Sequence, residues 1–87
     1  MPHIEIFSTA SCPYCVAAKQ HLERKGLSYE EVRVDLDPAR RADMLARAAG
    51  RRTVPQIFVN GVHVGGYDDL LAADRDGRLA SLLEAVP

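Results

Sequence analysis

The stretch Ile4-Glu5-Ile6-Phe7-Ser8-Thr9-Ala10-Ser11-Cys12-Pro13-Tyr14-Cys15 decides the fold. Residues 3–8 read as a strand, with β-branched and aromatic side chains ending at small polar ones. Pro13 suits the first turn of a helix, where its missing N–H costs nothing. A strand that feeds straight into a helix therefore sets the first sulfur at the helix N-terminus. Unpaired backbone N–H groups and the positive end of the helix dipole favour a thiolate there. The second sulfur, one turn on, reaches the first and can resolve a mixed disulfide. Cys12 is the candidate nucleophile and Cys15 the candidate resolving thiol.

The chain has 2 cysteines in 87 residues, and the CxxC holds both. A static bridge closing so short a loop adds little stability, because loop-closure entropy rewards long loops. A zinc site needs four ligands, and there is no second cysteine pair to supply them. His3, His21 and His63 are scattered without ligand spacing and read as surface or edge-strand residues. Redox chemistry is the reading this leaves in front, with no metal expected.

Working outward, the first helix should run to about Lys25 and stop at Gly26, with Cys15, Ala18 and Leu22 on its core face. Residues 29–34 read as a second strand. Asp37 then caps a helix opening with Pro38, whose apolar stripe is Met44, Leu45 and Ala48, ending before Gly50. Residues 56–59 and 62–64 flank Asn60-Gly61, the strongest short hairpin signal. A short helix follows around 68–74. A last helix over about 78–86 carries Leu79, Leu82, Leu83 and Val86 at core spacing. Two strands joined by a helix should lie parallel with a right-handed crossover, and the hairpin adds an antiparallel half. The expected architecture is α/β: a four-stranded mixed sheet flanked by helices, a single domain over residues 1–87, with the CxxC at the end of an inner strand.

Apolar content of 47% and charged content of 26% are those of an ordinary globular domain. A net charge of −1 gives no electrostatic case for nucleic acid or an anionic membrane. No apolar run approaches the roughly 20 residues of a membrane span, and Met1-Pro2-His3-Ile4 carries no signal-peptide pattern. The expected compartment is the reducing cytoplasm, where a CxxC serves catalysis more often than structure.

Two further motifs carry chemistry. In Thr53-Val54-Pro55 the proline cannot donate to a ladder, so Val54 can leave its own N–H and C=O free for an extended, peptide-like ligand. Base rates put the Val54-Pro55 bond trans, and a strand-initiating proline without function is the bland alternative. In Gly65-Gly66-Tyr67-Asp68-Asp69 the glycines open onto a helix N-terminus, a ready site for a carboxylate. Asp68 or Asp69 then meets an ammonium or caps the helix.

The order and spacing of CPYC, TVP and GG-x-DD resemble the dithiol glutaredoxins, most closely the small bacterial glutaredoxin-3 type, over essentially the whole chain. The resemblance implies the thioredoxin fold, a cis proline in TVP, and glutathione-dependent reduction of protein disulfides and glutathione–protein mixed disulfides. By position it implies that Cys12 takes glutathione, Cys15 resolves, and Tyr14 flanks the glutathionyl sulfur. The Val54 backbone pairs with the cysteinyl part of glutathione beside Pro55, with Thr53 nearby. The helix start at Gly66-Tyr67-Asp68 receives the γ-glutamyl carboxylate, and the Asp68 side chain faces its ammonium. Glutathione is thus a co-substrate, the partners are disulfide-bonded or glutathionylated proteins, and the chain is expected to be monomeric.

Two positions depart from the family pattern. Thr9 stands where many relatives carry a lysine, so the basic partner of the glycyl carboxylate must come from elsewhere. Arg41 is the best candidate by position, with Arg51 and Arg52 behind it. Tyr67 replaces an additional cysteine found in some relatives. Two other activities stay open: a redoxin reduced by thioredoxin reductase, which lacks a GG-x-DD pocket, and a dimer holding an iron–sulfur cluster, which the stiff Pro13 disfavours.

Overall fold

A computed structural model describes residues 3–85. The opening apolar stretch forms β1 (Ile4–Ser8), buried at every position. It leads through a short turn into α1 (Pro13–Arg24), with Pro13 in the first turn. That helix closes with Leu27 N–H donating to the Leu22 carbonyl and Gly26 N–H to that of Glu23, both at 3.0 Å. These are the paired bonds of a Schellman stop. The second strand, β2 (Glu30–Arg33), is shorter at both ends than its sequence pattern. It pairs with β1 alone, in parallel from Glu5↔Glu30 to Ser8↔Arg33, so the ladder ends where β1 does.

Next comes α2 (Pro38–Arg47), capped by the Asp37 side chain, which accepts from the N–H groups of Ala39 and Arg40. The hairpin of β3 (Gln56–Val59) and β4 (Val62–Gly65) turns at Asn60-Gly61, both at positive φ, 51° and 83°. The chain ends in α3 (Tyr67–Arg75) and α4 (Arg78–Glu84). The last helix stops at Glu84, and Val86 of the expected stripe lies outside the described residues. The strands order as β2-β1-β3-β4, with β3 antiparallel to both β1 and β4. This is the mixed sheet read from the sequence.

The sheet separates two apolar layers. On one face Ile4, Ile6, Ile57, Val59 and Val64 meet Ala18 and Leu22 of α1, Leu70 and Ala73 of α3, and Leu79 of α4. On the other, Phe7, Val32, Val34 and Phe58 pack on Met44 of α2 and on Ala48 at its C-cap, with Leu45 at the margin. Each such large side chain contributes roughly 1.5–3 kcal/mol by leaving water. Phe7 and Phe58 meet edge to face with centroids 5.5 Å apart. Glu5 lies beside them at 8% exposure, and its two carboxylate oxygens accept from Arg47 at 2.8 and 3.1 Å. The same guanidinium stands 4.3 Å from the Phe58 ring centroid, so the one charged residue inside β1 is paired as a buried charge must be. Burying β1 and β3 on both faces fixes the turn that leaves β1, and that turn carries the cysteines.

Candidate active site

Cys12 caps α1. Its backbone is extended (φ −126°, ψ 101°), and its sulfur accepts the Cys15 N–H at 3.1 Å. An N-cap normally uses a side-chain oxygen for this bond. A sulfur here takes up one of the free N–H groups of the helix start, and a thiolate accepts that bond more strongly than a thiol. The Cys12 thiol also lies 3.6 Å from the Val54 carbonyl oxygen, which joins the first motif to the second.

The two thiols are unequal. Cys12 is 9% exposed and Cys15 only 1%. Burial, and then the hydrogen bond to Cys12, push the Cys15 thiol up to about 12. The Thr9 backbone and the Lys19 charge act in the opposite direction. A thiol held protonated at neutral pH beside a less deeply buried, hydrogen-bonded sulfur is the asymmetry a nucleophile and its resolver require. Both cysteines are free thiols.

Beyond Val54 opens a cleft of about 410 Å³. Tyr14 and Tyr67 stand at its mouth with ring centroids 6.2 Å apart. Thr53, Val54 and Pro55 form one wall, and the Val54-Pro55 bond is cis, against the base rate and in line with the resemblance. Gly66, Tyr67 and Asp68 at the start of α3 line the cleft next to them, with Gly66 close against the Pro55 carbonyl. The third motif also divides its labour. Asp69 accepts the Gly66 N–H at 2.8 Å and meets Arg51 at 3.2 Å, so it is the capping acid. This explains why α3 begins at Tyr67, ahead of the expected Asp68. Asp68 is exposed on the cleft and, among the described residues, pairs with none.

The cleft thus gathers Tyr14, Thr53, Val54, Pro55, Gly66, Tyr67 and Asp68, all anticipated from the sequence. Arg41 is exposed on α2 and is not among the lining residues; Arg51 is, and Arg52 is not. The reason is positional. Arg51 lies four residues before Pro55 and is drawn to the α3 start by Asp69, whereas Arg41 stands on α2, which packs on the face of the sheet opposite α3. Away from the cleft, His3, Glu5 and Glu30 bring one ligand atom each within 4.8 Å of one another, a grouping hidden in the sequence by the separation of the strands. Both oxygens of Glu5 are already committed to Arg47.

A parallel β1-β2 unit joined to an antiparallel hairpin, with a cysteine pair where β1 meets α1 and the carbonyl before a cis proline facing the sulfur, defines a thiol–disulfide oxidoreductase on the thioredoxin fold. The glutaredoxin family model matches residues 4–64. A glutaredoxin of Pseudomonas aeruginosa is 53% identical over 85 residues, spanning 98% of this chain and all of that protein. Glutaredoxin 3 of Escherichia coli is 46% identical over 84 residues, spanning 97% of this chain and all of its own. Among solved structures, the buckwheat glutaredoxin–glutathione complex superposes with a TM-score of 0.81 at 32% identity, covering 97% of this chain and 81% of that one. The solution structure of a Brucella melitensis glutaredoxin gives 0.78 at 47% identity, covering 93% and 87%. The chain belongs to the glutaredoxin family and is an oxidoreductase. Among the described residues no helix is long and apolar enough to cross a membrane.

Proposed function

We propose that the chain is a glutathione-dependent reductase of protein disulfides and of glutathione–protein mixed disulfides, working in the cytoplasm as a monomer. The observation that carries this reading is the position of Val54, which lines the cleft while its carbonyl lies 3.6 Å from the Cys12 sulfur. A tripeptide lying along Thr53-Val54-Pro55 would therefore bring its own sulfur to Cys12. Glutathione has two carboxylates and one ammonium. The α3 N-terminus and Arg51 suit the carboxylates, and the unpaired Asp68 suits the ammonium.

In the monothiol route the Cys12 thiolate attacks the glutathionyl sulfur of a mixed disulfide. A Cys12–glutathione disulfide forms, and the client leaves as a thiolate that takes up a proton. A second glutathione thiolate then attacks the glutathionyl sulfur, releasing oxidised glutathione and the Cys12 thiolate. In the dithiol route Cys12 attacks a client disulfide, and Cys15 loses its proton and displaces the client as Cys12–Cys15 forms. Two glutathione molecules restore both thiols.

The test is turnover of a mixed disulfide between glutathione and a small thiol, coupled to glutathione reductase and NADPH. Cys12→Ser should abolish both routes, while Cys15→Ser should keep deglutathionylation and lose only the dithiol route. Loss of deglutathionylation in a folded Cys15→Ser protein would reverse the assigned roles.

A further inference from the structure

Behind the Thr53-Val54-Pro55 wall lies a chain of hydrogen bonds that neither the cysteine chemistry nor the cleft lining uses. Gln56, the first residue of β3, is fully buried. Its amide nitrogen donates to the Thr53 carbonyl at 2.9 Å and to the Thr53 hydroxyl at 3.1 Å. Both amide hydrogens are thereby spent on one residue. The Gln56 Oε1 lies 2.7 Å from His63 Nε2 on β4. Turning the amide over would set its oxygen against the Thr53 carbonyl, two acceptors face to face, so the orientation is fixed by the network. It follows that His63 must carry its proton on Nε2 and donate to Gln56. The imidazole is held in that plane by stacking on Phe58, with centroids 4.9 Å apart and planes 28° apart.

We propose that Gln56 and His63 are positioning residues for the glutathione wall of the cleft, acting through Thr53 to fix where the Val54 backbone faces its ligand. The proposal rests on the glutathione reading above. A buried amide aimed backwards at Thr53 does nothing for the core that an apolar side chain would not do better. Its bonds are instead directed at the segment whose backbone must be held still to pair with an extended peptide. Fixing that segment before binding removes an ordering cost that the ligand would otherwise meet. The Phe58–His63 cross-strand pair, with the register irregularity beside it between Ile57 and Phe58, brings the imidazole back over Gln56. The hairpin is thus the rear support of the binding wall.

The test is a steady-state series in glutathione with the glutathionylated small-thiol substrate, on the whole chain, with thermal unfolding as the folding control. Gln56→Met keeps the volume and removes every polar contact; the KM for glutathione should rise about tenfold with kcat within about twofold. His63→Phe keeps the stack on Phe58 but not the donor, and should raise KM about threefold. His63→Gln, whose amide can reach the same oxygen, should return KM to within about twofold of wild type. An unchanged KM in folded Gln56→Met, or equal effects of His63→Phe and His63→Gln, would overturn the positioning role. Independently, long-range ¹⁵N–¹H NMR of the imidazole should show the Nε2–H tautomer, and a dominant Nδ1–H form would overturn the proposal whatever the kinetics. A wild-type protein that turns over no glutathionylated substrate would instead bring down the glutathione reading, and the proposal with it.

Discussion

The backbone N–H of Cys15 points at the sulfur of Cys12, 3.1 Å away, while its own thiol is buried behind. One residue therefore supports the nucleophile with its backbone and waits with its side chain. With the Cys15 thiol pushed up to about 12 by burial and then by its bond to Cys12, only one sulfur should be reactive near neutrality. Iodoacetamide at pH 7 should label Cys12 at least tenfold faster than Cys15, read by peptide mass spectrometry. Equal labelling of the two in folded protein would contradict the asymmetry.

Gly65, at the end of β4 just before the cleft-lining Gly66, should be hard to replace. Its φ is 122°, and a Cβ there would stand 2.7 Å from Asp69 Cγ and 2.8 Å from Asp69 Cβ. The carboxylate that caps α3 through Gly66 occupies that space. Gly65→Ala should cost about 2 kcal/mol, combining backbone strain with a displaced cap. In a domain of this size the midpoint of thermal unfolding should fall by roughly 10 °C. A fall of under about 2 °C would mean that Asp69 re-forms the cap elsewhere.

Arg51 and Arg41 give a direct comparison of sites, since only Arg51 lines the cleft. Arg51→Ala should raise the KM for glutathione about fivefold through loss of one partly exposed charge-assisted contact, and Arg41→Ala should leave it within about twofold. The reverse order would move the glycyl end of the ligand to α2.

These comparisons mark where the sequence was sufficient. Strand–helix order, the Asn60-Gly61 turn and the Cys15-Ala18-Leu22 face were legible because each depends on neighbours within a few residues. The residues alone did not separate the two acids of Asp68-Asp69, since either could cap a helix, although the resemblance set Asp68 against the ammonium; the direction of approach to Gly66 assigns the cap to Asp69. Position ranked Arg41 ahead of Arg51, because which face of the sheet α2 covers is a property of the packed chain and cannot be read from spacing. The Gln56–His63 contact was hidden for a similar reason. It spans the hairpin beside a register irregularity, which a count of strand positions does not reveal. What stayed out of reach were contacts settled by three-dimensional register and not by spacing.

Stability should fall with acid in two stages of opposite origin in charge. His63 is held below its ordinary 6.5, by burial first and then by Arg51, so the folded state prefers the neutral ring. Unfolded chains take up that proton first, and a small loss of stability should begin as pH falls below 6.5. The second stage belongs to carboxylates. Glu5 is held below its ordinary 4.5, first by the hydrogen bond from Arg47, and Glu31 is lowered likewise, first by Ser8 and then by Lys19. Groups lowered by folding stabilise fully above the unfolded value, and that contribution is lost as pH falls from 4.5 through the folded values. Glu5→Gln tests the second stage. It leaves Arg47, over Phe7 and Phe58, with only its longer 3.6 Å contact to Asp43, and should cost about 2 kcal/mol at pH 7. The wild-type carboxylate loses its charge only as pH falls from 4.5 through its lowered folded value, so the difference between the two proteins should narrow towards pH 3. Urea unfolding at pH 7, 5 and 3 measures it. A difference that stays constant across that range would mean that the Glu5–Arg47 pair stabilises by packing and not by charge.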